Sequence, residues 1–295
     1  MDSIEAYEAF SLMMQHRNFS AVARKMGIGQ STVSKHIAAL EKEFQVQLFV
    51  RNTRRVSPTI EANRLNEQVE HLLDALKTVR ATASGQAPDV DGQLKLSMPA
   101  DFGRATIMPL VPEFAAEHPS LSLKITMVDG SGNRSFDNSD LAITTAPAQS
   151  NVSLIKRTLK TYPLYVLASA EYLATHGEPS SPLDLESRDV MAPSDFGAEA
   201  VDFDSDEGRQ RIAVNQRIEI DDVPTIYDFA KRGLVIAILP SWIAGEELAA
   251  GTMKRILSDY YLPPVEAAVV YPPTSFLAPR TRLFIDFLVA RLSEK

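Results

Sequence analysis

Residues 19 to 44 read FSAVARKMGIGQSTVSKHIAALEKEF, and this stretch decides the fold of the N-terminal part of the chain. It contains two helical patterns separated by a short connection that carries Gly27 and Gly29. The second pattern predicts a helix that runs to about Phe44. Its apolar stripe consists of Val33, Ile37, Leu40 and Phe44. Two helices joined by a short glycine-containing turn are typical of a helix-turn-helix.

The opposite face of the second helix opens with small polar residues and one lysine, where a surface helix usually mixes glutamate and lysine. These residues are Gln30, Ser31, Thr32, Ser34 and Lys35. They suit insertion into the DNA major groove, because glutamine pairs with adenine and hydroxyls reach base edges or phosphates, whereas acids would repel phosphate. Ser20, expected to cap the preceding helix, belongs to the same candidate DNA-binding set. The alternative is a surface helix of a small bundle that happens to lack acids.

The flanking segments favour the DNA-binding interpretation. Residues 3–16 predict a helix with Ile4, Tyr7, Phe10 and Met14 on one face. The segment VQLFVRNTRRVSP predicts a small basic hairpin, or wing, whose Val46, Leu48 and Val50 point inward. The wing arginines, expected to contact phosphates or the minor groove, are Arg51, Arg54 and Arg55. His36 is expected to contact phosphate or to pack between helices.

A long helix is predicted from Ile60 to about Ala83, with Thr59 as its cap. Its apolar residues recur at spacings of four and three, a heptad seam that usually requires a partner helix. The candidate dimerisation residues are Leu65, Val69, Leu72, Leu76 and Val79. The segment ASGQAPDVDG, residues 83–92, is small, polar and broken by glycine and proline, so a linker is predicted there.

Charge is distributed unevenly along the chain. The formal net charge is −8, but residues 1–58 carry eight basic against five acidic side chains, a net of +3, which leaves −11 for the rest. Such a split is typical of a nucleic-acid-binding end attached to another domain. There is no cysteine, which excludes disulfides and thiolate chemistry. Neither a signal peptide nor an apolar run long enough for a membrane span is evident, so a cytoplasmic protein without membrane partners is expected.

Beyond Gly92 the pattern alternates between strand and helix, which predicts an α/β unit with a mostly parallel sheet. Strands are predicted at QLKLSM, LSLKITMV, DLAIT, YPLYVLAS, RIEI, LVIAIL and EAAVVYP. Helices are predicted over DFGRATIMPLVPEFAAEH, with interruptions at its prolines, and over residues 222–232, 241–250 and 279–293.

The N-terminal stretch resembles the winged helix-turn-helix of LysR-type transcriptional regulators. The positions that carry the resemblance are Phe10, Phe19, Ser20, Ala23, Ser34, Ile37, Leu40, Glu41, Leu48, Phe49, Arg51 and Thr59. Further on, GQLKLSMPADFG, HPSLSLKI, SDLAIT, YLATHGEPSSPLDL, GLVIAILP and LFIDFL occur in the order of the family's effector-binding domain. Among the departures, Ala62 replaces a usual glycine, Phe44-Gln45 replaces a common Leu-Gly, Gly29 replaces a frequent Ser, and DLAITTAP lacks an arginine that often follows this strand.

The resemblance implies an α/β protein of three parts. These are a DNA-binding domain at 1–58, a dimerisation helix and hinge at 59–91, and an effector-binding domain at 92–295. The last would consist of two Rossmann-like subdomains, 92–161 with 268–295 and 162–267. The implied partners are double-stranded DNA with an interrupted inverted repeat, a small-molecule effector, a second copy of the chain in a homodimer or homotetramer, and RNA polymerase as a further candidate.

A ligand cleft is expected where strands end and helices begin. The candidate effector-binding residues are Pro99, Ala100, Asp101, Phe102, Thr144, Thr145, Phe196 and Asp222. Asp101 is expected either to cap the helix that follows or to face the cleft, where its charge would disfavour an anionic ligand and favour a cation, an amine or a polyol. Asp222 is likewise expected either to cap the helix that follows it or to face the cleft. A small, not strongly acidic effector is therefore hypothesised.

Rival functions have weaker support. An enzyme is disfavoured because DGSGNRS is an incomplete phosphate loop, the five histidines have no metal-ligand spacing and no G-x-S-x-G motif occurs. No catalytic residue, metal or cofactor is therefore expected. A periplasmic-type receptor would need a signal peptide, and a redox sensor would have to use the nine methionines.

Overall fold

The computed structural model describes residues 3–52, 55–84, 90–129, 139–146, 154–193, 200–215, 217–273 and 277–293. The chain divides into an N-terminal unit, residues 1–90 grouped with 276–279, and a larger C-terminal unit, residues 91–275 with 280–295.

The N-terminal unit is a helix-turn-helix followed by a wing and a long helix. Its elements are α1 (Ser3–His16), α2 (Phe19–Met26), α3 (Gln30–Phe44), β1 (Phe49–Asn52), β2 (Arg55–Pro58) and α4 (Ile60–Ser84). β1 and β2 pair antiparallel, so the predicted hairpin is confirmed. The helices predicted from the sequence agree closely with these bounds, because each buries one apolar face.

The core of this unit forms where α1, α2, α3 and the wing meet. Phe10, Val22, Ile37 and Leu48 are fully buried in it. The predicted stripe of α3 is confirmed at Val33, Ile37 and Leu40, but Phe44 is 37% exposed at the last turn. Val50 also points outward, since Leu48 and Phe49 both enter the core and the side-chain alternation is broken there.

Two helix ends correct the sequence interpretation. The cap of α2 is Asn18, whose side chain accepts a hydrogen bond from the amide of Ala21, so the prediction of Ser20 as the cap is wrong. Ser20 lies inside the first turn of α2. Gln45 ends α3 with φ +56°, a left-handed conformation that favours glycine, which explains why the resembling family commonly has glycine there.

The C-terminal unit contains two mixed sheets. Its strands are β3 (Gly92–Pro99), β4 (Leu121–Val128), β5 (Leu141–Thr144), β6 (Ile155–Tyr162), β7 (Leu164–Ser169), β8 (Val190–Met191), β9 (Ala200–Ser205), β10 (Gly208–Ala213), β11 (Ile236–Pro240), β12 (Met253–Ile256) and β13 (Val265–Tyr271). Its helices are α5 (Ala100–Phe102), α6 (Val111–Glu117), α7 (Ala170–His176), α8 (Val223–Lys231), α9 (Gly245–Ala250) and α10 (Pro279–Ser293).

The two sheets define two lobes. The first lobe has five strands in the order β4-β3-β5-β13-β6, and the second has four in the order β12-β7-β11-β8. The chain crosses from the first lobe to the second through Pro163, between β6 and β7, and returns between β12 and β13. A two-lobed α/β unit is the predicted fold class, and it is confirmed.

The pairing within the sheets differs from the prediction of a mostly parallel sheet. β3 pairs parallel with β4 and β5, and β11 with β8, whereas β13, β7 and β12 pair antiparallel. The antiparallel strands arise because both crossovers deliver the chain directly into the neighbouring sheet without an intervening helix. The predicted strand RIEI is wrong, and the hairpin β9–β10 lies just before it in sequence.

Candidate nucleic-acid interface and ligand cleft

The first turns of α3 present a polar surface without acids. Gln30, Ser31 and Lys35 are exposed, while Thr32 and Ser34 are half-buried. The helix has no acidic residue in its first turn, and Gly29 before it offers no side-chain cap. Backbone N–H groups at an uncapped helix N-terminus suit an anion such as a phosphate.

Ser20 orients the side chain of Gln30. The Ser20 hydroxyl donates to Oε1 of Gln30 at 3.1 Å, which links α2 to the start of α3. This bond leaves both N–H donors of the amide and one lone pair of Oε1 for another partner. The sequence had suggested Ser20 only as a cap and a contact residue.

Glu41 joins α3 to the wing. One carboxylate oxygen of Glu41 accepts hydrogen bonds from the amides of Leu48 at 2.8 Å and Phe49 at 3.2 Å. These are the residues at which the chain enters β1, so a single side chain fixes the wing relative to α3. In the sequence, Glu41 is only one of the positions that resemble the LysR-type helix-turn-helix, and its role in holding the wing is not predicted.

The wing arginines are described only in part. The backbone of Arg51 pairs with Val56 and that of Asn52 with Arg55, which sets the register of the hairpin. Arg54 lies outside the described residues.

His36 packs between helices. It is 2% exposed, and its Nε2 lies 3.7 Å from a carboxylate oxygen of Glu5 on α1. Of the two roles expected for it, packing is therefore the one that the structure supports.

The apolar seam of α4 is divided between two environments. Val69 is 2% exposed and Leu65 packs against the core of the N-terminal unit, so this half of the seam is used within the chain. Further along, Leu72 is 48% and Val79 64% exposed, with Leu76 half-buried between them. Only the C-terminal half of the seam therefore presents apolar surface.

In the C-terminal unit, the candidate cleft residues of the first lobe share one sheet edge. β3 ends at Pro99 and its parallel neighbour β5 ends at Thr144, so the segments that follow them leave from the same edge. Thr144 and Thr145 are buried, and the hydroxyl of Thr144 accepts a hydrogen bond from the amide of Ala146.

Asp101 contacts the second lobe. The expectation that it caps a helix is wrong, because α5 begins after Pro99 and has no side-chain cap. Instead, Nε1 of Trp242 donates to Oδ2 of Asp101 at 3.3 Å. Trp242 follows β11, at the carboxyl end of the strand that pairs parallel with β8, so the contact joins the carboxyl ends of strands from both lobes.

Three aromatic rings, hereafter the aromatic cluster, pack against one another next to this contact, and Trp242 belongs to both. Phe102, Tyr162 and Trp242 meet edge to face, with ring centroids separated by 5.0 Å, 5.2 Å and 5.5 Å. Phe102 is fully buried, whereas Tyr162 and Trp242 are half-buried. Burial raises the pKa of the Tyr162 hydroxyl, while a hydrogen bond with Thr106 lowers it, and the ring stays neutral at physiological pH.

The chain directly after Phe102 adopts an unusual conformation. Residues Gly103–Ile107 form a π-helical turn, a feature frequent at functional sites. A Cβ at Gly103 would lie 2.8 Å from the sulfur of Met98, so glycine permits this turn to pack on β3.

Of the two remaining candidate residues, one caps a helix and the other lies outside the described residues. The carboxylate of Asp222 caps α8 through the amide of Thr225, which is the structural role that the sequence had offered as an alternative. Phe196 lies outside the described residues, as do most of the DGSGNRS segment and residues 85–89 of the predicted linker. Sequence reasoning missed Tyr162 and Trp242, although a single tryptophan directly after a buried apolar strand was an available signal.

Both units match one family over nearly the whole chain. Residues 4–63 match the bacterial regulatory helix-turn-helix protein of the lysR family, and residues 88–293 match the LysR substrate binding domain. The chain belongs to the LysR family of transcriptional regulators. The members of this family are transcriptional regulators and not enzymes. The C-terminal unit of this regulator is of the class that binds small-molecule effectors.

Individual relatives agree with this assignment. The regulator is 28% identical over 273 residues to an uncharacterized HTH-type transcriptional regulator of Haemophilus influenzae, covering 92% of this chain and 94% of that one. It is 27% identical to the HTH-type transcriptional regulator DmlR of Escherichia coli, covering 95% and 91%. The solved structure of CrgA, a LysR-type transcriptional regulator from Neisseria meningitidis, has the same fold, with a TM-score of 0.61, 21% identity and 98% of each chain covered.

The described ranges contain neither a candidate membrane span nor a candidate metal cluster. None of the helices there combines the length and apolar character that a membrane crossing requires. In the same ranges, no group of three or more His, Asp or Glu side chains is placed to hold a metal ion.

Proposed function

We propose that this LysR-type regulator reads DNA with the first turns of α3 in the major groove. The base-reading residues would be Gln30, Ser31, Thr32, Ser34 and Lys35. Ser20 and the wing residues Arg51, Arg54 and Arg55 would hold the phosphate backbone or enter the minor groove. The observation that carries this proposal is the acid-free, exposed opening of α3, with the Gln30 amide already oriented by Ser20.

We propose further that two copies pair through α4, so that two reading heads meet an interrupted inverted repeat. The exposed half of the predicted seam, Leu72, Leu76 and Val79, is the candidate interface, whereas Leu65 and Val69 pack within the chain. Pairing of C-terminal units would give a tetramer, and RNA polymerase is a further candidate partner.

The effector would bind in the cleft of the C-terminal unit, near Pro99, Ala100, Asp101, Phe102, Thr144 and Thr145, with Phe196 and Asp222 as further candidates. The proposed DNA-binding domain comprises residues 1–58, the dimerisation helix and hinge residues 59–91, and the effector-binding domain residues 92–295. An effector can shift the arrangement of the paired heads on DNA only if it binds one arrangement more tightly than the other.

A salt titration of binding to the protein's own upstream intergenic DNA tests the proposed function. Specific binding that weakens steeply with salt, and exceeds binding to scrambled DNA of equal length, is expected, because phosphate contacts release counterions. Absence of DNA binding at any salt concentration would contradict the placement of α3.

Two substitutions on α3 should have different consequences. Gln30→Ala is expected to relax discrimination at one base pair by about 1–3 kcal/mol, because a bidentate contact is lost. Lys35→Ala is expected to weaken binding to all sequences and to reduce the salt slope by about 1, as the loss of a phosphate contact does. Competition binding against single-base operator variants distinguishes the two, and unchanged affinity and specificity in both variants would refute the proposed reading face.

Val79→Asp is expected to weaken self-association. Val79 is 64% exposed, and its burial in an interface would contribute about 1.5–3 kcal/mol, which an aspartate would lose. Sedimentation equilibrium measures the effect, and Val79→Leu, which keeps an apolar side chain, is the matched control. If Val79→Asp associates like the unsubstituted protein, the exposed half of α4 is not the interface.

A further inference from the structure

Asp101 is a half-buried carboxylate with a weak partner. Its partner, the indole N–H of Trp242, carries no charge, and the distance of 3.3 Å is long for an N–H···O bond. In the described ranges no lysine, arginine or histidine forms an ion pair with this carboxylate. Removing a carboxylate from water without a cationic partner costs free energy, so the site favours a ligand that supplies positive charge.

The aromatic cluster adds a second, independent preference for a cation. The faces of Trp and Tyr rings attract an ammonium group within about 6 Å of the ring centroid. Tyr162 and Trp242 are half-buried, and Trp242 contacts Asp101 directly. The ammonium group of Lys160 lies 5.8 Å from the Tyr162 centroid, within the range of a cation–π contact.

The neighbouring strand end provides neutral groups. Thr144 and Thr145, at the end of β5, are buried and uncharged. Their hydroxyl groups are compatible with a ligand of any polarity, and they leave the charge preference to Asp101.

We propose that the effector of this regulator is a protonated organic amine, bound by the Asp101 carboxylate in place of the Trp242 indole and held against the aromatic cluster. This inference rests on the proposed function, since it names the ligand class of the proposed effector site. An ammonium group brings a full positive charge to the carboxylate, which the uncharged indole N–H does not, and an N⁺–H···O⁻ bond of about 2.7–2.9 Å is shorter than the 3.3 Å contact it would replace.

Trp242 provides the measurement, because it is the only tryptophan of the chain and its emission responds to the loss of its hydrogen bond. The full-length protein is titrated with butylamine, 1,4-diaminobutane and phenethylamine, each compared with the alcohol and the carboxylate of the same carbon skeleton. Saturable changes in emission are expected from amines and not from their alcohol or carboxylate counterparts.

Substitutions then locate the effect. Asp101→Asn is expected to weaken the amine response by about tenfold or more, because the negative charge that pairs with the ammonium group is lost. Asp101→Glu, which keeps the charge, should retain the amine preference. Asp206→Asn makes the same chemical change at an exposed turn between β9 and β10 and should respond as the unsubstituted protein does.

Three results would overturn the proposal: a response to carboxylates that equals or exceeds that to amines, an amine response unchanged in Asp101→Asn, or no response to any amine. The salt titration on DNA distinguishes failure of the amine proposal from failure of the proposed function. Specific DNA binding together with a carboxylate response would refute the ligand class alone, whereas absence of specific DNA binding would refute the regulator's proposed reading mode.

Discussion

Replacement of Glu41 by alanine is expected to detach the wing from α3 and to lower the free energy of unfolding of the N-terminal unit by about 2–4 kcal/mol. The carboxylate of Glu41 holds two backbone amides, those of Leu48 and Phe49. Both residues are buried, so these N–H groups would have no water to replace the lost acceptor. The penalty of unsatisfied donors therefore adds to the loss of two charge-assisted bonds.

Hydrogen exchange in the full-length protein measures this effect directly. The amides of Leu48 and Phe49 should exchange much faster in Glu41→Ala, and DNA affinity should fall because the wing no longer has a fixed position. Glu43→Ala, which removes an exposed acid on the last turn of the same helix, is the matched control. Equal protection of both amides in the two variants would show that Glu41 does not hold the wing.

Replacement of Phe102 by alanine is expected to destabilise the C-terminal unit by about 3–5 kcal/mol. Phe102 is fully buried and contacts both Tyr162 and Trp242, so its removal leaves a cavity between elements of both lobes. The rings cannot easily collapse into that space, because each is fixed by a further partner: Tyr162 by Thr106 and Trp242 by Asp101.

Chemical denaturation followed by Trp242 emission reports on this unit, since no other tryptophan contributes. Phe102→Leu retains most of the apolar volume and should lose markedly less stability. If the denaturation midpoint of Phe102→Ala equals that of Phe102→Leu, the aromatic cluster relaxes to fill the space of the missing ring.

The elements of the N-terminal unit could be predicted from sequence because their signals are local. Helices of 3.6-residue period with one apolar face, glycines in the turn and a short basic hairpin are each decided by neighbouring residues. α3 therefore begins and ends where its pattern predicts, at Gln30 and Phe44. The two wrong predictions in this unit also have local causes. Asn18, two residues before Ser20, is the cap of α2. Leu48 and Phe49 both enter the core, which breaks the alternation from which Val50 was predicted to point inward.

The sequence by itself determined the fold class, the helix-turn-helix with its acid-free face, and Asp101 as a residue whose orientation mattered. Tertiary structure alone decided the partners of that residue, because Asp101 and Trp242 lie 141 positions apart and no periodicity connects them. It also decided the strand directions of the two sheets and the division of the α4 seam into a buried and an exposed half. Contacts of this kind depend on how distant segments pack, and a local pattern specifies only which face of a segment is apolar.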